Sequence, residues 1–267
     1  KPIGDVDGRV EFKNVTFGYK PERPILRNIS FVAEPGQTIA LVGPTGSGKT
    51  SITALAHRFY DVQQGSISID GQDIRDVTQE SIGHVMGMVL QEPFLFSKSV
   101  LENVSYNTEN ATREDVVAAC KIIGAHDFVM QLDNGYDTTL EQRGSNLSVG
   151  QRQLLSFARA LVADPKILVL DEATANIDSY TERIIQEALK KLLEGRTALV
   201  IAHRLSTIRN SNQIIVVRDG EIVEKGTHDE LLAETGLYAQ LWQTNYTSFD
   251  DIAGNADSIT GAPISST

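Results

Sequence analysis

Four short, uninterrupted apolar runs constrain this chain more than any other feature: Thr38 to Val42, Val85 to Leu90, Ile167 to Leu170 and Thr197 to Ile201. A strand apolar on both faces must be covered on both faces, which is the condition of a parallel sheet sandwiched by helices. Stretches of helical pattern lie between the runs, at Thr50 to Phe59, Arg113 to Ile123, Gly150 to Val162 and Ser179 to Leu193. The alternation predicts an α/β fold with a mostly parallel sheet. Two other segments, Arg9 to Val15 and Gly65 to Asp70, alternate apolar and polar residues, and Asp70-Gly71 supplies a turn. They predict an antiparallel part near the N-terminus. Ile214 to Val217, Asp219-Gly220 and Glu221 to Val223 read as a hairpin.

Composition removes several classes of function. The 267 residues carry 24 Lys+Arg against 35 Asp+Glu, a net charge of −11. Nucleic-acid binding leans on clustered Lys and Arg, so nucleic acid is not expected as a partner, and adsorption to anionic lipid is disfavoured for the same reason. A single cysteine, Cys120, excludes an internal disulfide and a multi-cysteine zinc site, and fits a reducing compartment. No run approaches the ~18 apolar residues of a membrane span. Residues 226–267 hold six acidic residues and no Lys or Arg. From about Thr247 the pattern loses its period, so residues 1–247 are expected to form the domain and 248–267 a flexible acidic tail.

The run Thr38 to Val42 leads into Gly43-Pro44-Thr45-Gly46-Ser47-Gly48-Lys49-Thr50, and a helical pattern follows. This is G-x-x-x-x-G-K-[ST] in the strand-to-helix setting that makes it a phosphate loop. By average residue usage such a string arises in roughly 1% of chains this long, before its context is counted. Glycines let successive peptide N–H groups face one anion, and the helix N-terminus adds partial positive charge. Lys49 supplies a full charge for the terminal phosphates, and the Thr50 hydroxyl is a ligand for Mg²⁺. Ser51 follows directly. Far downstream, Ile167 to Leu170 ends in Asp171-Glu172. A central strand would fix these carboxylates, Asp171 to hold the metal and Glu172 to face an attacking water.

Leu147-Ser148-Val149-Gly150-Gln151 resembles the signature L-S-G-G-Q of the ATP-binding cassette (ABC) ATPases, and Arg152-Gln153 and Ala158-Arg159-Ala160-Leu161 continue as that family's helix does. Further motifs fall in the family's order. Tyr19, in Phe17-Gly18-Tyr19, resembles the aromatic that stacks on adenine, and Gln91 the Q-loop glutamine. Ala175-Asn176-Ile177-Asp178 resembles the D-loop, and His203 the switch histidine. The resemblance covers about residues 8–243. It implies a P-loop NTPase (RecA-like) core, an N-terminal antiparallel β subdomain and a helical signature subdomain at about 92–163. It implies ATP and Mg²⁺ as cofactors, with catalysis by Glu172, His203, Lys49 and Gln91. The nucleotide would be bound by Tyr19, Gly43, Pro44, Thr45, Gly46, Ser47, Gly48, Lys49, Thr50, Ser51 and Gln91, and by Ser148, Gly150 and Gln151 of a second copy facing head to tail. Thr50, Gln91 and Asp171 would hold the metal. His57, His84, His126 and His228 lie outside these motifs and are read as structural.

Thr138 to Gly144 sits where exporters of the family carry a loop resembling T-E-V-G-E-R-G; it matches at Thr138, Arg143 and Gly144 and departs at Thr139, Glu141 and Gln142. Val10-Glu11-Phe12 and Phe94-Leu95-Phe96-Ser97 also resemble exporter cassettes. The expectation is the C-terminal part of a longer exporter subunit, at the cytoplasmic face of the cell membrane, partnered by a transmembrane domain and a second nucleotide-binding domain. Val149 in place of the usual signature Gly, with Asn176-Ile177 in place of Ala-Leu, leaves two arrangements open: a heterodimer with unequal sites, or a homodimer with a tolerated variant. The rival classes are a soluble non-transport cassette ATPase and a regulatory, weakly hydrolysing cassette. The interval from Thr50 to Leu147 holds no heptad run, which disfavours the coiled-coil cassettes.

Overall fold

The computed structural model describes residues 1–172 and 177–245. Asn176 and Ala175 of the D-loop resemblance, and the expected tail 248–267, lie outside the described residues. The order of elements begins β1 (Val10–Phe17), β2 (Leu26–Ala33), β3 (Thr38–Val42), α1 (Lys49–Ala56), β4 (Gln64–Ile69) and β5 (Gln72–Asp73). It continues α2 (Gln79–Val85), β6 (Met86–Val89), α3 (Val100–Val104), α4 (Arg113–Ile123), α5 (His126–Met130) and α6 (Val149–Ala163). Then come β7 (Ile167–Asp171), α7 (Ser179–Leu193), β8 (Thr197–Ile201), α8 (Leu205–Asn210), β9 (Gln213–Arg218), β10 (Glu221–Gly226), α9 (His228–Ala233) and α10 (Leu237–Asn245).

Two sheets result. One is antiparallel, in the order β2-β1-β4-β5; the other runs β10-β9-β3-β8-β7-β6. In the larger sheet β6, β7, β8, β3 and β9 are parallel neighbours and only β10 is antiparallel, closing the expected hairpin onto β9. The alternation of strand side chains makes this sheet a wall between two cores. On one side Ala40, Val42, Leu168, Leu170, Val200 and Val216 meet the apolar faces of α3, α4, α6 and α7. On the other, Ile39, Leu41, Val169, Leu199 and Val217 meet α1, α2 and the antiparallel sheet, where Phe12 stacks on its cross-strand partner Phe31 at 4.6 Å. Each of the four apolar runs supplies side chains to both cores; three form the inner strands β3, β8 and β7, and the fourth forms β6 at the sheet's edge.

Several boundaries differ from the sequence reading. The helix expected to Phe59 stops at Ala56, because Arg58 turns left-handed (φ 54°) and its guanidinium donates to the carbonyls of Ile74 and Val77. Val85 ends α2 instead of opening a strand, and Leu90 lies beyond β6 with an exposed side chain. The structural reading of the histidines fits His126 and His228: each ring Nδ1 shares a hydrogen bond with a tyrosine hydroxyl ten residues on, Tyr136 at 2.8 Å and Tyr238 at 2.7 Å. Burial pushes His57 down to about 4, so it is neutral at pH 7. No helix among the described residues is long and apolar enough to cross a membrane.

Leu26 ties the two sheets to the loop after β3. It is fully buried, and its Cδ2 lies 2.6 Å from where a Cβ on Gly48 would stand. Leu26→Ala is expected to lower the unfolding free energy by about 2–5 kcal/mol, read as a fall in urea midpoint at unchanged slope.

Candidate functional site

The sheet register builds the site. Leu41 pairs with Ile201, and Ile201 with Asp171 on its other side, so the carboxyl ends of β3, β8 and β7 finish side by side. The residues that follow these strands, Gly43 to Thr50, Glu172 and His203, consequently emerge along one sheet edge, the usual place for a ligand in such a fold.

The loop Gly43–Gly48 is held from both sides. Gly43 has φ 151° and passes so close to β9 that a Cβ would sit 2.1 Å from the Val217 carbonyl oxygen. The N–H of Gly220, in the β9–β10 turn, donates to the Ser47 carbonyl at 2.9 Å. Gly48 caps α1 with a left-handed φ of 110°, a position open to glycine and strained for other residues. Lys49 is buried and folds over the loop, donating from Nζ to the carbonyls of Gly43 (2.7 Å) and Pro44 (3.0 Å) and lying 3.4 Å from Ser47 Oγ. Burial pushes the ammonium below its ordinary range, opposed by the charge of Asp171. The same burial raises the Asp171 carboxyl, opposed by Lys49.

Thr50 and Asp171 both border a mostly apolar cavity of about 180 Å³, whose other walls include Phe59, Met88, Leu90 and Val169. One carboxylate and one hydroxyl suit Mg²⁺, which keeps several waters and takes few protein ligands beside phosphate oxygens. Among the described residues no cluster of three or more His, Cys, Asp or Glu offers a denser cage. Tyr19 lies half exposed beside the loop, its hydroxyl 3.2 Å from Ser51 Oγ and its ring edge-on to Tyr60 at 5.0 Å. Gln91, two residues beyond β6, is exposed at the same edge.

Glu172 is fully buried. Its Oε2 accepts the peptide N–H groups of His203 (2.7 Å) and Arg204 (2.9 Å), and Oε1 accepts the Thr207 hydroxyl. Burial raises its pKa, and these donors, Thr207 first, oppose the rise. The His203 ring lies at the solvent rim. Protein packed behind it, then the charges of Lys49 and Arg204, push its pKa down.

Ser148, Gly150 and Gln151 stand apart from these groups at the start of α6. Ser148 and Gln151 form a reciprocal capping box: Ser148 Oγ accepts the Gln151 N–H at 3.1 Å, and Gln151 Oε1 accepts the Ser148 N–H at 3.0 Å. Val149 occupies the first helical turn with a negative φ and a half-exposed side chain, so a β-branched residue is accommodated there without strain. Gly150 is needed by the chain's own packing, since a Cβ there would lie 2.4 Å from Thr181 Cγ2 on α7.

Sequence reasoning missed three supports. Gln63 clamps Gly18, donating to its carbonyl at 2.8 Å and accepting its N–H at 2.9 Å, and so sets the turn that carries Tyr19. Gly220 admits no side chain, because a Cβ would sit 1.8 Å from the Ile25 carbonyl. Thr207 binds Glu172 from α8. Only Gly220, in an Asp-Gly turn, carried a local signal.

A nucleotide-phosphate loop with a strand-end carboxylate pair, in a chain that also carries a capped signature helix, defines a P-loop ATPase of the cassette type. The ABC transporter family profile matches residues 26–175. The chain is 49% identical over 239 residues to the ABC transporter ATP-binding protein YfiC of Bacillus subtilis, covering 90% of this chain and 40% of that one. It is 50% identical over 236 residues to the probable multidrug resistance ABC transporter ATP-binding/permease protein YheH of the same organism (88% and 35%). Identity is 49% over 243 residues to the β-(1→2)glucan export ATP-binding/permease protein NdvA of Nitrobacter winogradskyi (91% and 40%). A solved bacterial Atm1-family ABC exporter with ATP bound superposes with a TM-score of 0.86 at 42% identity, over 92% of this chain and 43% of that chain. The chain belongs to the ABC transporter family and is its ATP-binding cassette. It spans 35–40% of the length of these relatives.

Gly150→Ala is expected to destabilise the fold by about 1–3 kcal/mol through overpacking. Adding Thr181→Ser, which removes the opposing Cγ2, should recover most of that loss; a double-mutant cycle by urea unfolding reads the coupling.

Proposed function

We propose that this cassette binds and hydrolyses Mg-ATP as the nucleotide-binding domain of an exporter, and drives transport through head-to-tail association with a second such domain. The observation that carries the reading is the convergence of Lys49, Thr50, Asp171, Glu172 and His203 on one sheet edge. The loop N–H groups and Lys49 would hold the β- and γ-phosphates, Lys49 giving up its bonds to Gly43 and Pro44 to do so. Thr50 and Asp171, with Gln91, would hold Mg²⁺, which supplies charge neutralisation across the β- and γ-phosphates. The half-exposed Tyr19 face offers a platform for adenine.

Glu172 would take the proton of the attacking water as general base, and burial raises its carboxyl pKa, the direction that makes a carboxylate a stronger base. His203, neutral because its pKa is lowered, retains one N–H to donate to the γ-phosphate. Ser148, Gly150 and Gln151 form no part of their own chain's phosphate loop among the described hydrogen bonds, which supports their use by a second cassette. That partner is a nucleotide-binding domain of the same or a sister chain, and a transmembrane domain of the same transporter is the second partner, placing the cassette at the cytoplasmic face of the cell membrane. The relatives that are ATP-binding/permease proteins support this arrangement. We also propose the division into residues 1–247, with a helical subdomain at about 92–163, and a tail at 248–267.

Glu172→Gln should keep ATP binding and lose turnover by about 10²-fold or more, and with ATP it should run as a dimer in size-exclusion chromatography with light scattering. Lys49→Ala should lose binding of a fluorescent ATP analogue. Near-normal hydrolysis by Glu172→Gln would remove the base from its role.

A further inference from the structure

Glu172 cannot meet a water molecule in the arrangement described. It has no exposed surface, and both carboxylate oxygens are engaged. Two of its three donors are peptide N–H groups of the segment that carries the His203 ring. The third, Thr207, lies one turn further along α8 and is itself buried. The segment is only partly satisfied elsewhere: Arg204 Nε pairs with Glu182 at 2.9 Å, while its buried Nη1 and Nη2 find no hydrogen-bond partner among the described residues. A buried guanidinium paired through one nitrogen lowers the cost of leaving this position.

We propose that Thr207 is a positioning residue that latches Glu172 to the switch segment at rest, so that freeing the base for water and moving His203 towards the phosphates are one displacement. The inference rests on the proposed roles of Glu172 and His203 and deepens them. The backbone of residues 203–204 restrains the base, and the side chain of residue 203 assists it. Thr207 contributes the one bond in the latch that is neither backbone nor transferable to the nucleotide, so its removal shifts the balance towards the released form.

Thr207→Val keeps the shape of the side chain and deletes the donor. At sub-saturating ATP its turnover is expected to rise about three- to tenfold over the parent, since a charge-assisted hydrogen bond holding the resting state is lost. Thr207→Ser should hold the parental rate. Amide hydrogen exchange of the nucleotide-free protein gives a readout besides turnover: His203 and Arg204 amides should exchange faster in Thr207→Val, and faster still in Glu172→Ala. Turnover of Thr207→Val equal to or below the parent's, or unchanged exchange at His203 and Arg204 in Glu172→Ala, overturns the proposal. If Thr207→Val fails to fold, Thr207→Ala takes its place, read by the same turnover and exchange measurements. Failure of the functional reading looks different, because there Glu172→Gln hydrolyses ATP normally whatever Thr207 does.

Discussion

The lateral register of β3, β8 and β7 is the constraint on which the rest of the molecule depends. Pairing Leu41 with Ile201 and Ile201 with Asp171 places three chain segments at one level of one edge. A slip of one residue in any of these strands would reverse which side chains face which core. The two cores enforce the register, because Ala40 and Val42 fit only the helical side and Ile39 and Leu41 only the side shared with the antiparallel sheet. Hydrophobic packing thus determines where the carboxylates and the phosphate loop stand, without any direct contact between the apolar side chains and a ligand.

The antiparallel sheet is more than a cover for that core. Leu26 lies under Gly48, the Ile25 carbonyl lies against Gly220, and Gly220 donates to Ser47. The phosphate loop is therefore gripped between a strand of one sheet and a hairpin turn of the other. Tyr19 belongs to the same assembly through Ser51 and through the Gln63 clamp on Gly18. Preorganised N–H groups bind an anion better than mobile ones, and this bracing is what preorganises them.

Much of this was legible in the sequence, and what was not has identifiable causes. The four apolar runs gave their strands because double burial leaves an uninterrupted apolar string, and Thr38–Val42 and Thr197–Ile201 match to the residue. β2 escaped because its alternation is broken: a register shift accompanies Asn14 and Asn28, both left-handed, and the polar pair Arg27-Asn28 interrupts the period. The loop, Asp171 and Glu172 were found by motif, since the chemistry fixes residue type and spacing together. Thr207 and Gln63 were invisible, because one hydroxyl and one amide acting 35 and 45 positions away in sequence leave no local pattern. The engagement of Glu172 by a neighbouring backbone was equally unreadable, since peptide N–H groups carry no sequence identity.

The two middle positions of the signature answer to different pressures. Val149 projects from the first turn of α6 without strain, whereas Gly150 has a methyl group of α7 where its own side chain would be. A substitution at position 149 changes the exposed surface at the start of α6 and leaves the packing beneath it alone. Drift at position 150 must be matched by a compensating change at position 181. Adjacent letters of one motif are in this way constrained separately, the first at the chain's surface and the second by its own interior.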